Sequence, residues 1–190
     1  GRTLKVMNQN EYFTSQGSYI DNTKHVVLND ALRRVEQLAE EEGGGFLRME
    51  YLPRTTCVDT ALHHYSGLTT FASSNPYQTT KLMGELGYAI NGVNSYLYHS
   101  YVAPCDSLLG LRYVVLKVNL SNHPQLKKVD AVSVTDPATG DTHTRYIYKN
   151  TTALPVAFAA SDANFLSRSA SPVKKVTFIM ERFSFFTGAT

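Results

Sequence analysis

Tryptophan is missing, only two cysteines and seven prolines occur in 190 residues, and neither sign of charge predominates, with 18 basic against 16 acidic side chains. Each scarcity excludes something. Charges scattered this evenly leave no basic stripe for a phosphate backbone, so nucleic acid is not an expected partner. Cys57 and Cys105 fit none of the CxxC or Cys/His spacings that hold zinc. A disulfide between them would close a long loop and contribute about 4 kcal/mol in the chain-entropy model. Spacing does not decide whether they meet, and two buried free thiols are the expected state. No apolar run reaches the roughly 18 residues of a membrane span, and no secretion leader opens the sequence. A chain beginning at Gly1 reads as a piece excised from a longer protein. GxSxG and HExxH are lacking too, which removes the commonest hydrolase and metalloprotease signatures.

What is there suffices for one core. A chain of this length with 43% hydrophobic residues buries roughly 70% of its unfolded surface. Beside nine phenylalanines stand twelve tyrosines, which suit a wet, sugar-facing or protein-facing surface as readily as an interior. Residues 111–118, with only Arg112 and Lys117 charged, predict a buried central strand. Before it, Gly110 permits a tight turn over residues 106–109. Asp106 reads as a cap on that turn in preference to a catalytic carboxylate.

Residues 4–20 read as an extended lead-in with room for one short strand. Apolar spacing over 28–42 predicts an amphipathic helix with Asn29 or Asp30 near its start. Gly43, Gly44 and Gly45 end it as a C-cap and hinge; they follow a helix and lack a Lys-Ser/Thr partner, so they are no phosphate loop. Residues 46–52 alternate as a strand with one wetter face carrying Arg48 and Glu50, closed by Pro53. Residues 55–74 hold the densest set of chemical side chains, among them Asp59, His63, His64, Tyr65, Ser73 and Ser74. Asp59 and His63 would share a helix face, but no third ligand is in register, so hydrogen-bonded or surface histidines are expected and no metal site is. A helix over 77–86 places Leu82, Met83 and Leu86 on one side and ends near Gly87. Residues 92–100 read as a link. Two alternating runs, 129–135 and 142–149, flank Asp136-Pro-Ala-Thr-Gly-Asp141 and predict a β-hairpin. Residues 154–159 read as a short apolar strand opened by a proline, which suits a sheet edge or the start of a strand. In the tail 173–188, Val176, Ile179, Met180, Phe183 and Phe186 recur at helical spacing.

Taken together, N-E-Y-F (10–13), F-L-R-M-E (46–50), D-T-A-L-H-H-Y-S-G-L-T-T-F-A-S-S (59–74), D-S-L-L-G-L-R-Y-V-V (106–115) and Y-K-N-T-T-A-L-P-V-A-F (148–158) resemble the extracytoplasmic part of YfhO-type bacterial membrane proteins. Order and spacing agree with that family over most of the chain. Leu47 replaces an aromatic, Val58 stands where Asn is usual, and Val156-Ala157 replaces Leu-Gly, all readable as packing changes. The resemblance implies a polytopic parent similar to GT-C glycosyltransferases, which use polyprenyl-phosphate sugars to decorate cell-wall polymers such as teichoic acids. It also implies that this chain lies on the extracytoplasmic face of the bacterial membrane, lacks the catalytic part, needs no cofactor and is inert alone.

The expected architecture is α/β, a mixed central sheet of residues 46–52, 111–118 and 154–159 flanked by helices, with a β-hairpin at one side. Residues 1–27 would lead in from a membrane span of the parent, 28–165 would form the domain, and 166–190 would lead out as a helical tail. Expected partners are the membrane-embedded remainder of the chain and a cell-wall glycan or polyprenyl-phosphate sugar. Arg48, Asp59, Tyr65, Ser73, Ser74 and Asp106 are the candidate contacts, because stacking and convergent hydrogen bonds are how a concave site recognises a sugar. The competing reading is a sensory or protein-interaction module without sugar chemistry; each of these residues could equally serve only to build the fold.

Overall fold

The computed structural model describes residues 22–155. Helix α1 spans Thr23–Glu41 and begins more than a turn before the expected residue 28. The reason is Asn22, whose Oδ1 accepts the His25 N–H at 3.1 Å and so caps the helix. Asn29 lies inside the helix and bonds His63 Nδ1 at 2.7 Å. At the other end Gly44 N–H reaches the Ala39 carbonyl at 2.9 Å. Gly43, Gly44 and Gly45 all take positive φ, the conformation an L side chain resists, so the helix stops there.

The main sheet is mixed. Its strands are β1 (Met49–Leu52), β5 (Tyr113–Leu116), β6 (Leu126–Thr135) and β7 (Thr142–Asn150), ordered β1-β5-β7-β6. β1 and β5 run parallel, with Met49 opposite Tyr113. β7 is antiparallel to both β5 and β6, and a bulge interrupts the hairpin between Lys128 and Asp130. The hairpin thus stands at one side of the sheet, as its turn chemistry predicts.

Strand periodicity divides the core in two. Met49, Tyr51, Tyr113, Val115 and Ile147 face α1, packing on Leu28, Leu32 and Val35. Val114, Leu116, Leu126 and Tyr148 face the opposite way, toward Met83, Leu86, Tyr88 and Tyr98. Each fully buried aliphatic side chain contributes roughly 1.5–3 kcal/mol. With both faces covered, β1 has no wet side. Glu50, expected on a wetter face, is 1% exposed, and β1 itself is shorter than the predicted 46–52 because Phe46 lies out in solvent.

Parallel strands cannot be joined by a tight turn, and residues 53–112 make the crossover. It holds α2 (Asp59–Leu62), β2 (Thr70–Phe71), α3 (Tyr77–Glu85), β3 (Ala89–Ile90), β4 (Ser95–Leu97) and α4 (Ala103–Leu108). β2, β4 and β3 form a small antiparallel sheet with β4 in the middle. Residues 92–100 are therefore not a plain link: Asn91 Oδ1 gathers the N–H groups of Val93, Asn94 and Ser95 into the turn that sends β4 back along β3. α3 buries Thr80 and Met83, whereas Leu82 is 40% exposed and does not join them.

Of the predicted strand 154–159, Leu154 and Pro155 are not in a strand, and the remainder lies outside the described residues, as do the lead-in through residue 21 and the tail helix. Both cysteines are free. Cys105 is buried as expected, but Cys57 is exposed, because it sits in the loop after β1 and not under it.

Candidate functional site

The motif residues meet at one buried junction. Asp106, fully buried, accepts the Tyr88 hydroxyl at 2.5 Å, the Tyr98 hydroxyl at 2.9 Å and the Val102 N–H at 2.9 Å. Asp106 does not open a turn over 106–109 as expected: the helix already begins at Ala103, and the Asp106 carboxylate inside it reaches back to the N–H of Val102, the residue before that helix. Burial pushes its carboxyl up to about 6, against the three bonds that hold it down. Asn150 donates to Ser107 Oγ at 3.1 Å and to the Leu111 carbonyl at 2.9 Å, and its Oδ1 takes the Tyr101 hydroxyl at 3.0 Å. Arg48 Nη1 donates to the Leu109 carbonyl, and its backbone carbonyl takes Arg112 N–H at 2.9 Å.

A second junction lies at β1. Glu50 Oε1 accepts the N–H groups of Leu68 and, at 2.7 Å, Thr69. Burial raises its carboxyl to about 7. Tyr65, buried nearby, has its hydroxyl without a partner, and burial followed by the Glu50 charge pushes its ionisation upward. A Cβ at Gly67 would stand 2.7 Å from Glu50 Oε1, so only glycine fits the approach. Asp59, 1% exposed, accepts Thr55 N–H at 2.6 Å and the Thr56 N–H and hydroxyl at 2.7 and 2.6 Å.

The concavity lies elsewhere. A cleft of about 680 Å³ opens at the carboxyl ends of β1 and β5, the end at which open α/β sheets receive ligands. Leu52, Val114, Leu116 and Leu126 make its floor, and Arg54, Thr55, Thr56, His99, Ser100 and His123 stand around it. Among the described residues no Asp or Glu lines it. Tyr101 meets the His123 ring edge-on at 5.0 Å. His123 Nδ1 accepts the N–H groups of Gln125 and Leu126 at 3.3 and 3.1 Å, which leaves Nε2 to carry the proton of the neutral ring. An apolar floor with hydrogen-bond donors at the rim suits an amphiphile, its hydrocarbon below and its polar head above.

None of the six predicted contacts lines this cleft. Arg48, Asp59, Tyr65 and Asp106 are engaged in or beside the buried junctions, whereas Ser73 and Ser74 lie exposed in the turn before α3. His63 and Asp59 do not form part of any group of three or more ligating side chains; among the described residues no such group exists. Arg54, His99, Tyr101 and His123 escaped the sequence reading. Only Arg54 carries a sequence signal, since it directly follows the predicted β1 and its closing Pro53, where sheet ligands bind.

A family model described as bacterial membrane protein YfhO matches residues 3–177 of the chain. No curated relative and no solved structure matches it. Among the described residues no helix is long and apolar enough to cross a membrane.

Proposed function

The chain belongs to the YfhO family of bacterial membrane proteins, and from that membership we propose that it is the extracytoplasmic domain of a polytopic, glycosyltransferase-like membrane protein. In this reading it positions an acceptor glycan or a polyprenyl-phosphate sugar for the membrane-embedded remainder of its chain, in glycosylation of a cell-wall polymer of the teichoic acid type. It is not catalytic by itself. The observation that carries the reading is the cleft at the ends of β1 and β5. Its apolar floor fits an isoprenoid chain and its Arg54, His99 and His123 rim fits the polar end.

Of the six residues expected from sequence, Asp59 enters this proposal by holding the Thr55–Thr56 rim; Arg48, Tyr65 and Asp106 build the fold beside the cleft, and Ser73 and Ser74 have no part in it. Calorimetric titration with a short-chain prenyl-phosphate sugar and with teichoic-acid fragments tests it. Saturable binding is expected for at least one, weakened about tenfold by Val118→Asp at the cleft's exposed edge. No saturable binding to either would overturn the positioning role. A second reading, an interaction module, draws support from Phe71, Ile90 and Val93, which are 54%, 41% and 64% exposed on or beside the small sheet.

A further inference from the structure

A guanidinium taken out of water is normally matched by a carboxylate. Arg145 is not. It is 4% exposed, and none of the ion pairs among the described residues includes it. Its Nη1 donates to the Thr144 carbonyl at 3.0 Å and its Nη2 to the Lys24 carbonyl at 3.5 Å. Its Nε is buried with no partner at all.

Two more cations converge there. The Arg145 guanidinium lies 5.6 Å from the centre of the Tyr51 ring, and Lys117 Nζ lies 5.9 Å from the same centre. Lys24 stands in the first turn of α1, whose amino end carries the positive pole of the helix dipole. Neither lysine is in an ion pair among the described residues. Burial, then repulsion by Arg145 and Lys24, lowers the proton affinity of Lys117, and the Asp59 carboxylate opposes this only in part. Two carboxylates lie in the neighbourhood, but their oxygens are directed at backbone N–H groups, Asp59 at Thr55 and Thr56 and Asp136 at Ala138 at 2.8 Å, and among the described residues neither is ion-paired with Arg145.

Lys117 directly follows β5, and Tyr51 is the penultimate residue of β1. The cluster therefore shares its end of the sheet with the cleft but lies on the face toward α1. We infer that Arg145, Lys117 and Lys24, at the amino end of α1, form a binding site for the phosphate oxyanion of a phosphomonoester or phosphodiester. The oxyanion would supply the direct ion-pair partner that the three cations lack among the described residues, with the two exposed lysines as the direct contacts and Arg145 behind them. The site is defined by these residues alone and stands apart from the sugar-positioning reading.

Titration of the chain with inorganic phosphate and pyrophosphate at constant ionic strength tests it, followed through backbone amide shifts around residues 23–25 and 117. Saturable binding is expected, weakened about tenfold in Lys117→Ala and less in Lys24→Ala. Lys149→Ala removes a lysine already bound to Glu42 at 2.6 Å and should leave binding unchanged. Lys117 and Lys24 are exposed, so these variants test the site even if Arg145→Gln does not fold. Failure to saturate, or equal weakening in all three lysine variants, would overturn the inference. Flotation with phosphatidylglycerol or phosphatidylcholine vesicles separates the sources. Retention on the anionic vesicles that depends on Lys117 assigns the phosphate to a lipid headgroup; phosphate binding without retention assigns it to a soluble phosphoester.

Discussion

In the half built from α1 and the four-stranded sheet, long elements bury aliphatic side chains such as Leu28, Val35, Val115 and Ile147. In the crossover of residues 53–112, several of the elements are two to four residues long, and buried carboxylates hold them. Glu50 fixes the chain entering β2, Asp59 the loop before α2, and Asp106 joins the end of α3, β4 and α4 through Tyr88, Tyr98 and Val102. The first half rests on apolar area. The second depends more heavily on a few charge-assisted hydrogen bonds, and its failure modes are correspondingly local and pH-dependent.

Breaking one carboxylate bolt should separate the halves most. Asp106→Ala leaves two tyrosine hydroxyls and one N–H buried and unpaired, a cost of roughly 4 kcal/mol. Limited proteolysis should then cut within residues 77–102 before it cuts the β6–β7 hairpin. Leu28→Ala, costing about 3 kcal/mol, should instead lower the urea midpoint of the whole chain with no new cleavage site in the crossover. If both variants expose the same sites, the halves are one cooperative unit.

The smaller effect is on pH. Burial raises the Glu50 carboxyl to about 7 and that of Asp106 to about 6, above the ordinary carboxylate range. The folded chain then holds protons that the unfolded chain releases. Their contribution to stability is full below the ordinary carboxylate values and is lost as pH rises through 6 to 7. Glu50→Gln keeps an acceptor for Leu68 and Thr69 while removing the charge. It should abolish about 2 kcal/mol of the stability difference between mildly acidic and mildly alkaline urea titrations.

The same contrast decides what could be read in advance. α1 and the hairpin announce themselves by long apolar periods and by turn residues, and β5 by a dense apolar run. β3 and β4 cannot, because two or three residues carry no measurable period. Glu50 looks wet in sequence because alternation reports only that a residue is polar; it does not tell a water-facing carboxylate from one solvated by backbone N–H groups. Asp106 was legible as a residue that accepts backbone N–H groups, but the helix it sits in starts three residues earlier than the turn read from sequence, and its tyrosine partners, eight and eighteen positions earlier, were not legible. The cleft was illegible for a related reason. Arg54, His99 and His123 approach one another only because the crossover returns to the carboxyl ends of β1 and β5.

That seam, where crossover and sheet both line the cleft, is where the proposed positioning role would lie. Amide chemical-shift mapping of the chain with a short prenyl-phosphate sugar tests this most directly. The account predicts that shifts concentrate on residues 52–57, 99–101 and 114–126 and saturate together. Shifts confined to the exposed turn at Ser73–Ser74, or spread without saturation, would contradict it.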